Sequence, residues 1–112
     1  MDLSIAREGA IVIITVNATR IDASTAIQFK DEMRSATAEA GDHIVLELRQ
    51  VEFIDSSGLG AIVAAMKQLG PGRKLDLAAL TPDVDKVFRL TRMDTVFDIH
   101  CSLDSVGKRA AV

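Results

Sequence analysis

Val51-Glu52-Phe53-Ile54-Asp55-Ser56-Ser57-Gly58-Leu59-Gly60 decides how this chain is read, because two apolar segments of different kinds meet there. Before it lies Ile44-Val45-Leu46-Glu47-Leu48, a run of strand length. Its near-continuous apolarity predicts a strand in the middle of a sheet, covered on both faces. After it, Gly58 to Leu69 carries Leu59, Ala61, Ile62, Val63, Ala64, Ala65 and Met66. These residues predict a helix that is apolar nearly all round, with little of it facing water. Gly70-Pro71-Gly72 ends that helix.

Working towards the N-terminus, Ser24 to Ala40 reads as a helix. Phe29, Met33, Ala36 and Ala40 recur at helical spacing, with Lys30, Asp31, Arg34 and Glu39 off the stripe. Ser24 is placed to cap it and Gly41 to stop it. Leu3 to Ala6 and Ile11 to Val16 are strand-like, and Arg7-Glu8-Gly9-Ala10 supplies the turn of a hairpin. The β-branched run Ile11-Val12-Ile13-Ile14 predicts burial on both faces.

Towards the C-terminus, Lys74 to Ala78 is a strand. A helix begins at Pro82 and runs to Thr91 on the stripe Val84, Val87, Phe88 and Leu90. Val96 to Ile99 is a weaker strand. From Ser102 a short helix is expected, fraying through Lys108-Arg109-Ala110-Ala111-Val112. Strands alternating with helices imply an α/β fold: a mixed, mostly parallel sheet with an N-terminal antiparallel hairpin and packed helices. The expected core includes Leu46, Leu48, Ile62, Met66 and Phe88. The length of 112 residues suits one domain spanning 1–112.

Composition narrows the function. A net charge of -3, no Trp, no Tyr and four Phe give neither a basic surface nor a base-stacking platform, so direct nucleic-acid binding is not expected. The lone Cys101 cannot form an intramolecular disulfide and fits a reducing compartment. Met1-Asp2-Leu3-Ser4-Ile5 does not read as a secretory leader, and no segment reaches membrane-spanning length. The expectation is a cytoplasmic protein without membrane insertion.

At the quoted turn, two hydroxyls, a carboxylate and two glycines gather at a helix start. Unpaired backbone N–H groups collect there and the helix dipole favours negative charge, so a phosphate would be tolerated. The glycines would let another molecule approach the backbone. The same residues are also ordinary capping chemistry, and local physics alone leaves both readings open.

The whole sequence resembles the STAS domains, in particular the single-domain bacterial anti-sigma factor antagonists. The resemblance is strongest in Val51 to Gly60. It extends to Arg20-Ile21-Asp22-Ala23-Ser24-Thr25-Ala26, which resembles the family's first loop, and to Val84-Asp85-Lys86-Val87-Phe88-Arg89-Leu90-Thr91, which resembles its late helix. It implies that Ser56, directly after the signature Asp55, is phosphorylated by a serine kinase that is also an anti-sigma factor. It implies a partner surface of Asp22, Asp55, Ser56, Ser57, Gly58 and Leu59, a serine phosphatase that resets the switch, no cofactor and no catalysis. Ser56, as the residue just before the helix, is expected to be more exposed than Ser57. Where the family often has Gly-Glu, this chain has Thr19-Arg20; where it often has Gly, this chain has Arg92. Both departures bear on the partner and neither touches the serine. Two other uses of the fold are an unphosphorylated accessory subunit of a transport or signalling complex and a sensor of a small ligand or nucleotide.

Enzymatic motifs are missing. His43 and His100 are the only histidines, and no Gly-x-Ser-x-Gly elbow is present. Asp98 and His100 alternate along a predicted strand and share a face, which is too few ligands for a metal. Cys101 is expected to be a small buried residue. Gly58-x-Gly60 lacks the third glycine of a dinucleotide loop, and Gly70-Pro71-Gly72-Arg73-Lys74 lacks P-loop spacing. Lys86, Arg89 and Arg92 read as a solvated helix face.

Overall fold

The computed structural model describes residues 1–110. Strands β1 (Leu3–Glu8) and β2 (Ile11–Val16) form the hairpin, closing over Gly9 at φ 62°. A two-residue β3 (Arg20–Ile21) leads into α1 (Ala26–Thr37), then β4 (His43–Glu47). A second two-residue strand, β5 (Phe53–Ile54), leads into α2 (Ser56–Leu69). There follow β6 (Lys74–Ala78), α3 (Pro82–Leu90), a 3-10 turn at Met93–Thr95, β7 (Ile99–His100) and α4 (Leu103–Ala110).

The main sheet has the order β1-β2-β4-β6-β7, antiparallel between β1 and β2 and parallel elsewhere. It is the mixed α/β architecture expected from the sequence. Val12, Ile14, Val16, Ile44, Leu46, Leu75 and Leu77 point from one face into the principal core, where they meet Phe29 and Met33 of α1, Ile62 of α2 and Val84 and Phe88 of α3. The alternate residues Ile11, Ile13, Val45 and Ala78 form a smaller cluster on the other face with Val106 of α4. Burial of Ile11 to Ile14 on both faces follows from this layering.

Several boundaries differ from the expectation, each for a local reason. Helix α1 starts after Thr25, because Ser24 turns its hydroxyl to the Asp22 carboxylate (2.7 Å) instead of capping. It ends at Thr37, before Gly41. The Thr37 hydroxyl bonds back to the Met33 carbonyl (2.7 Å), and Arg73 donates to the carbonyls of Thr37 and Gly41. Helix α2 begins two residues early because Asp55 is its cap. In place of the strand Val96 to Ile99, Phe97 packs edge-on against Phe88 (centroids 6.0 Å apart, 76° between planes), which turns the chain inward and delays β7 to Ile99.

Helix α2 is wet along one side. Leu59, Val63 and Met66 are only half-buried and Gly60, Lys67 and Gln68 are exposed, so Met66 lies beside the core instead of within it. The α4 backbone stays helical through Ala110; of the expected frayed end, Ala111 and Val112 lie outside the described residues.

Leu46 is fully buried in the central strand. Replacing it by Ala should lower the unfolding free energy by about 2–5 kcal/mol, read from urea denaturation. A loss below about 1 kcal/mol would contradict its position in the core.

Candidate functional site

The site is built where two strand-to-helix connections lie side by side. β3 and β5 pair in parallel, with Arg20 opposite Phe53 and Ile21 opposite Ile54. The carbonyl of Thr19 accepts from the amides of both Glu52 and Phe53 (2.8 and 3.2 Å) and holds the two strands in register. Because the strands run the same way, both chains leave at the same end, one into α1 and the other into α2. Ile21 and Ile54 turn inward and are buried, whereas Arg20 and Phe53 are exposed.

Asp55 ties the two connections together. It caps α2 in an extended backbone conformation, and its Oδ1 accepts from the Gly58 amide (2.8 Å). Its Oδ2 accepts from the amide of Ala23 in the neighbouring loop (3.1 Å). Asp22 organises that loop: its Oδ1 accepts from the amide and the hydroxyl of Ser24, and its Oδ2 accepts from Nε of Arg20 (3.1 Å). These hydrogen bonds, first from Ser24 and then from Arg20, hold the Asp22 carboxyl below the ordinary aspartate range.

Gly58 is where α2 touches β3. A Cβ there would lie 2.0 Å from the Ile21 carbonyl oxygen and 2.9 Å from a side-chain carbon of Ile54. The space expected to admit another molecule is therefore filled by the protein's own backbone, and Gly58 is buried. Gly60, two positions on, is exposed with nothing within 4 Å of such a Cβ.

The expected surface residues thus divide. Asp22 and Asp55 are half-buried and committed to internal hydrogen bonds, Leu59 is half-buried against the core, and Gly58 lies beneath the surface. Ser56 and Ser57 are both exposed, and neither hydroxyl bonds to a described residue. Ser56 does not precede the helix. Both serines are in its first turn, so exposure does not distinguish them.

Sequence reasoning missed the pairing of β3 with β5, since two-residue strands carry no periodicity. With it was missed the contact of the Arg20 guanidinium with the Phe53 ring, 4.1 Å from the centroid. The other polar residues lie away from this site. His43 and His100 each hydrogen-bond through Nε2 to Oδ2 of Asp76 (2.9 and 3.0 Å), and Lys74 reaches both Asp76 and Asp98. Among the described residues no group of three or more His, Cys, Asp or Glu is arranged to hold a metal ion. Cys101 is exposed, contrary to expectation, because the chain leaves the sheet at that point for α4. Lys86, Arg89 and Arg92 are exposed as expected, and Arg89 pairs with Asp85 and Asp94. No helix among the described residues is long and apolar enough to cross a membrane.

Gly58→Ala should destabilise the protein by about 1–3 kcal/mol or more, because the methyl group meets backbone. Gly60→Ala should instead stabilise α2 by about 0.5–1 kcal/mol. Equal effects of the two in chemical denaturation would contradict the close approach. For Asp22, the folded pKa lies below the unfolded value, so its stabilisation is fully present above the ordinary aspartate range. It is lost as pH falls through the lowered value. The difference in melting temperature between wild type and Asp22→Asn should therefore hold steady from neutral pH to about 4 and close only below it.

The STAS domain profile matches residues 2–106. The chain is 30% identical over 83 residues to the anti-sigma-B factor antagonist of Listeria monocytogenes, a match covering 73% of each protein. Among solved structures it is similar to an anti-sigma-factor antagonist (STAS) domain protein from Planctomyces limnophilus, with TM-score 0.87, 19% identity and 100% of both chains covered. It is also similar to the phosphorylated form of the Bacillus cell fate determinant SpoIIAA, with TM-score 0.66, 19% identity, and 97% and 99% of the two chains covered. The profile spans nearly the whole chain, including both connections that Asp55 joins, and the chain belongs to the STAS domain family.

Proposed function

We propose that this protein is an anti-sigma factor antagonist switched by phosphorylation of Ser56. Unphosphorylated, it binds an anti-sigma factor that is also a serine kinase, and so frees that protein's target. Phosphorylation at Ser56 ends the complex, and a serine phosphatase restores it. The protein acts in the cytoplasm as a substrate of the kinase and has no catalysis of its own.

The observation that carries this reading is the exposed, unbonded Ser56 hydroxyl in the first turn of a helix whose cap is already satisfied by Asp55. A phosphate there adds about -1.5 to -2 charges at neutral pH. The helix N-terminus offsets part of this, by typically ~0.3–1 kcal/mol. Since Asp55 keeps both its internal bonds, the domain accommodates the group. A partner docked over Ser56 meets new bulk and charge beside Asp22 and Asp55, and juxtaposed like charges in an interface cost several kcal/mol. Ser57 is equally exposed, so the choice of Ser56 rests on its place directly after Asp55. The names of the Listeria relative and the phosphorylated state of the Bacillus one support the same reading.

The test compares wild type, Ser56→Ala, Ser56→Asp and authentic phosphoserine-56 protein for binding to the anti-sigma factor kinases encoded in the same genome. The alanine variant should bind like wild type and resist release by ATP. The phosphoprotein should bind at least about tenfold more weakly while keeping a near wild-type melting temperature. Undiminished binding by the phosphoprotein would refute the mechanism, and kinase modification of Ser57 with Ser56 untouched would refute the assignment.

A further inference from the structure

Arg20 sits on the outward side of the β3–β5 pair, next to the surface just described. It is held at two places. The Phe53 ring lies 4.1 Å from its guanidinium carbon, and Nε donates to Oδ2 of Asp22 at 3.1 Å. Its side chain is nevertheless 57% exposed, and Phe53 beneath it is 41% exposed. No described residue hydrogen-bonds Nη1 or Nη2, so the outer edge of the guanidinium faces solvent with its donors unused. A free arginine loses much rotamer entropy when it is fixed in an interface; this one is already oriented by the ring and the carboxylate. A pre-oriented arginine over an exposed aromatic ring has the composition of an interface anchor.

The carboxylate of Asp22 binds Arg20 through Nε, and that of Asp55 holds the amide of Ala23 in the same loop. A partner complementary to those two carboxylates is basic where it meets them. At Arg20 such a partner meets a like charge, unless it carries an acidic group at that point. A cationic edge beside two carboxylates therefore separates partners that share the same general charge. We propose that Arg20, braced on Phe53, is the partner-selecting residue of this surface and pairs through its free edge with a carboxylate of the anti-sigma factor. This rests on the preceding reading that the surface around Ser56 docks an anti-sigma factor.

The experiment uses the full chain and the anti-sigma factor kinase that wild type binds, with affinities from titration calorimetry. Arg20→Glu should weaken binding by about thirtyfold or more, and Arg20→Lys by about fivefold, because an ammonium keeps the charge but lacks the planar fork. Replacing one interfacial Asp or Glu of the kinase by Lys should bring Arg20→Glu back to within about fivefold of wild type, a coupling that a merely structural role for Arg20 would not produce. Far-UV circular dichroism should match wild type, with the melting temperature lowered only modestly by loss of the Arg20–Asp22 bond; if Arg20→Glu loses its fold, Arg20→Gln takes its place, with an expected loss of about tenfold. Near wild-type affinity for Arg20→Glu, alongside weakened binding by the phosphoserine-56 protein, would overturn this inference and leave the switch intact. Loss of affinity that no acidic-to-basic change on the kinase restores would overturn the carboxylate pairing. Failure of wild type to bind any of the anti-sigma factors would defeat both readings together.

Discussion

The approach of α2 to the Ile21 carbonyl is the constraint on which the site depends. Only a residue without a Cβ fits at Gly58, since a methyl carbon would lie 2.0 Å from that oxygen. With the helix seated so closely, Asp55 bonds simultaneously to its own helix through Gly58 and to the neighbouring loop through Ala23. Two connections far apart in sequence become one rigid surface. A hydroxyl on that surface is presented by a fixed scaffold, which is what a recognition site needs if a small chemical change is to be felt as a loss of fit.

The same arrangement separates structural from exposed chemistry. Asp22 and Asp55 look like the reactive members of the site, but both are spent on internal hydrogen bonds. The groups left outward include Ser56, Ser57, Arg20 and Phe53. Function on such a surface comes from what the partner meets, and the carboxylates contribute charge and order. On the opposite face of the sheet, Asp76 is nearly fully buried, yet His43, His100 and Lys74 surround it. Buried charge with partners on several sides is tolerated where an isolated carboxylate would be costly, and it keeps that face polar at one end beside the small apolar cluster under α4.

The alternation of apolar runs, the hairpin turn and the helix beginning at Pro82 were sufficient to establish the architecture, because burial on two faces or one leaves a periodicity that a single sequence displays. The turn from Asp55 to Gly58 was legible as a helix start for the same reason: capping is local chemistry. The core residues Leu46, Leu48, Ile62 and Phe88 followed from the pattern, and Met66 did not, since the degree to which α2 is covered depends on the elements beside it.

What only the tertiary structure decided were relations between segments distant in the chain. The pairing of β3 with β5 involves two residues on each side and has no period. Gly58 reads in sequence as freedom, and in the folded protein as the one residue small enough for the Ile21 carbonyl. Ser24 looked like a cap until Asp22 claimed its hydroxyl. The early end of α1 depended on Arg73, which reaches its last turn from 36 positions away. Arg20 stood in the sequence as a departure from a family pattern; the fold set it over Phe53 and against Asp22. Local sequence specifies the propensity of each segment and the chemistry of each turn. Which side chains share a hydrogen bond or a van der Waals contact is decided by packing, where the distance that matters is measured in space.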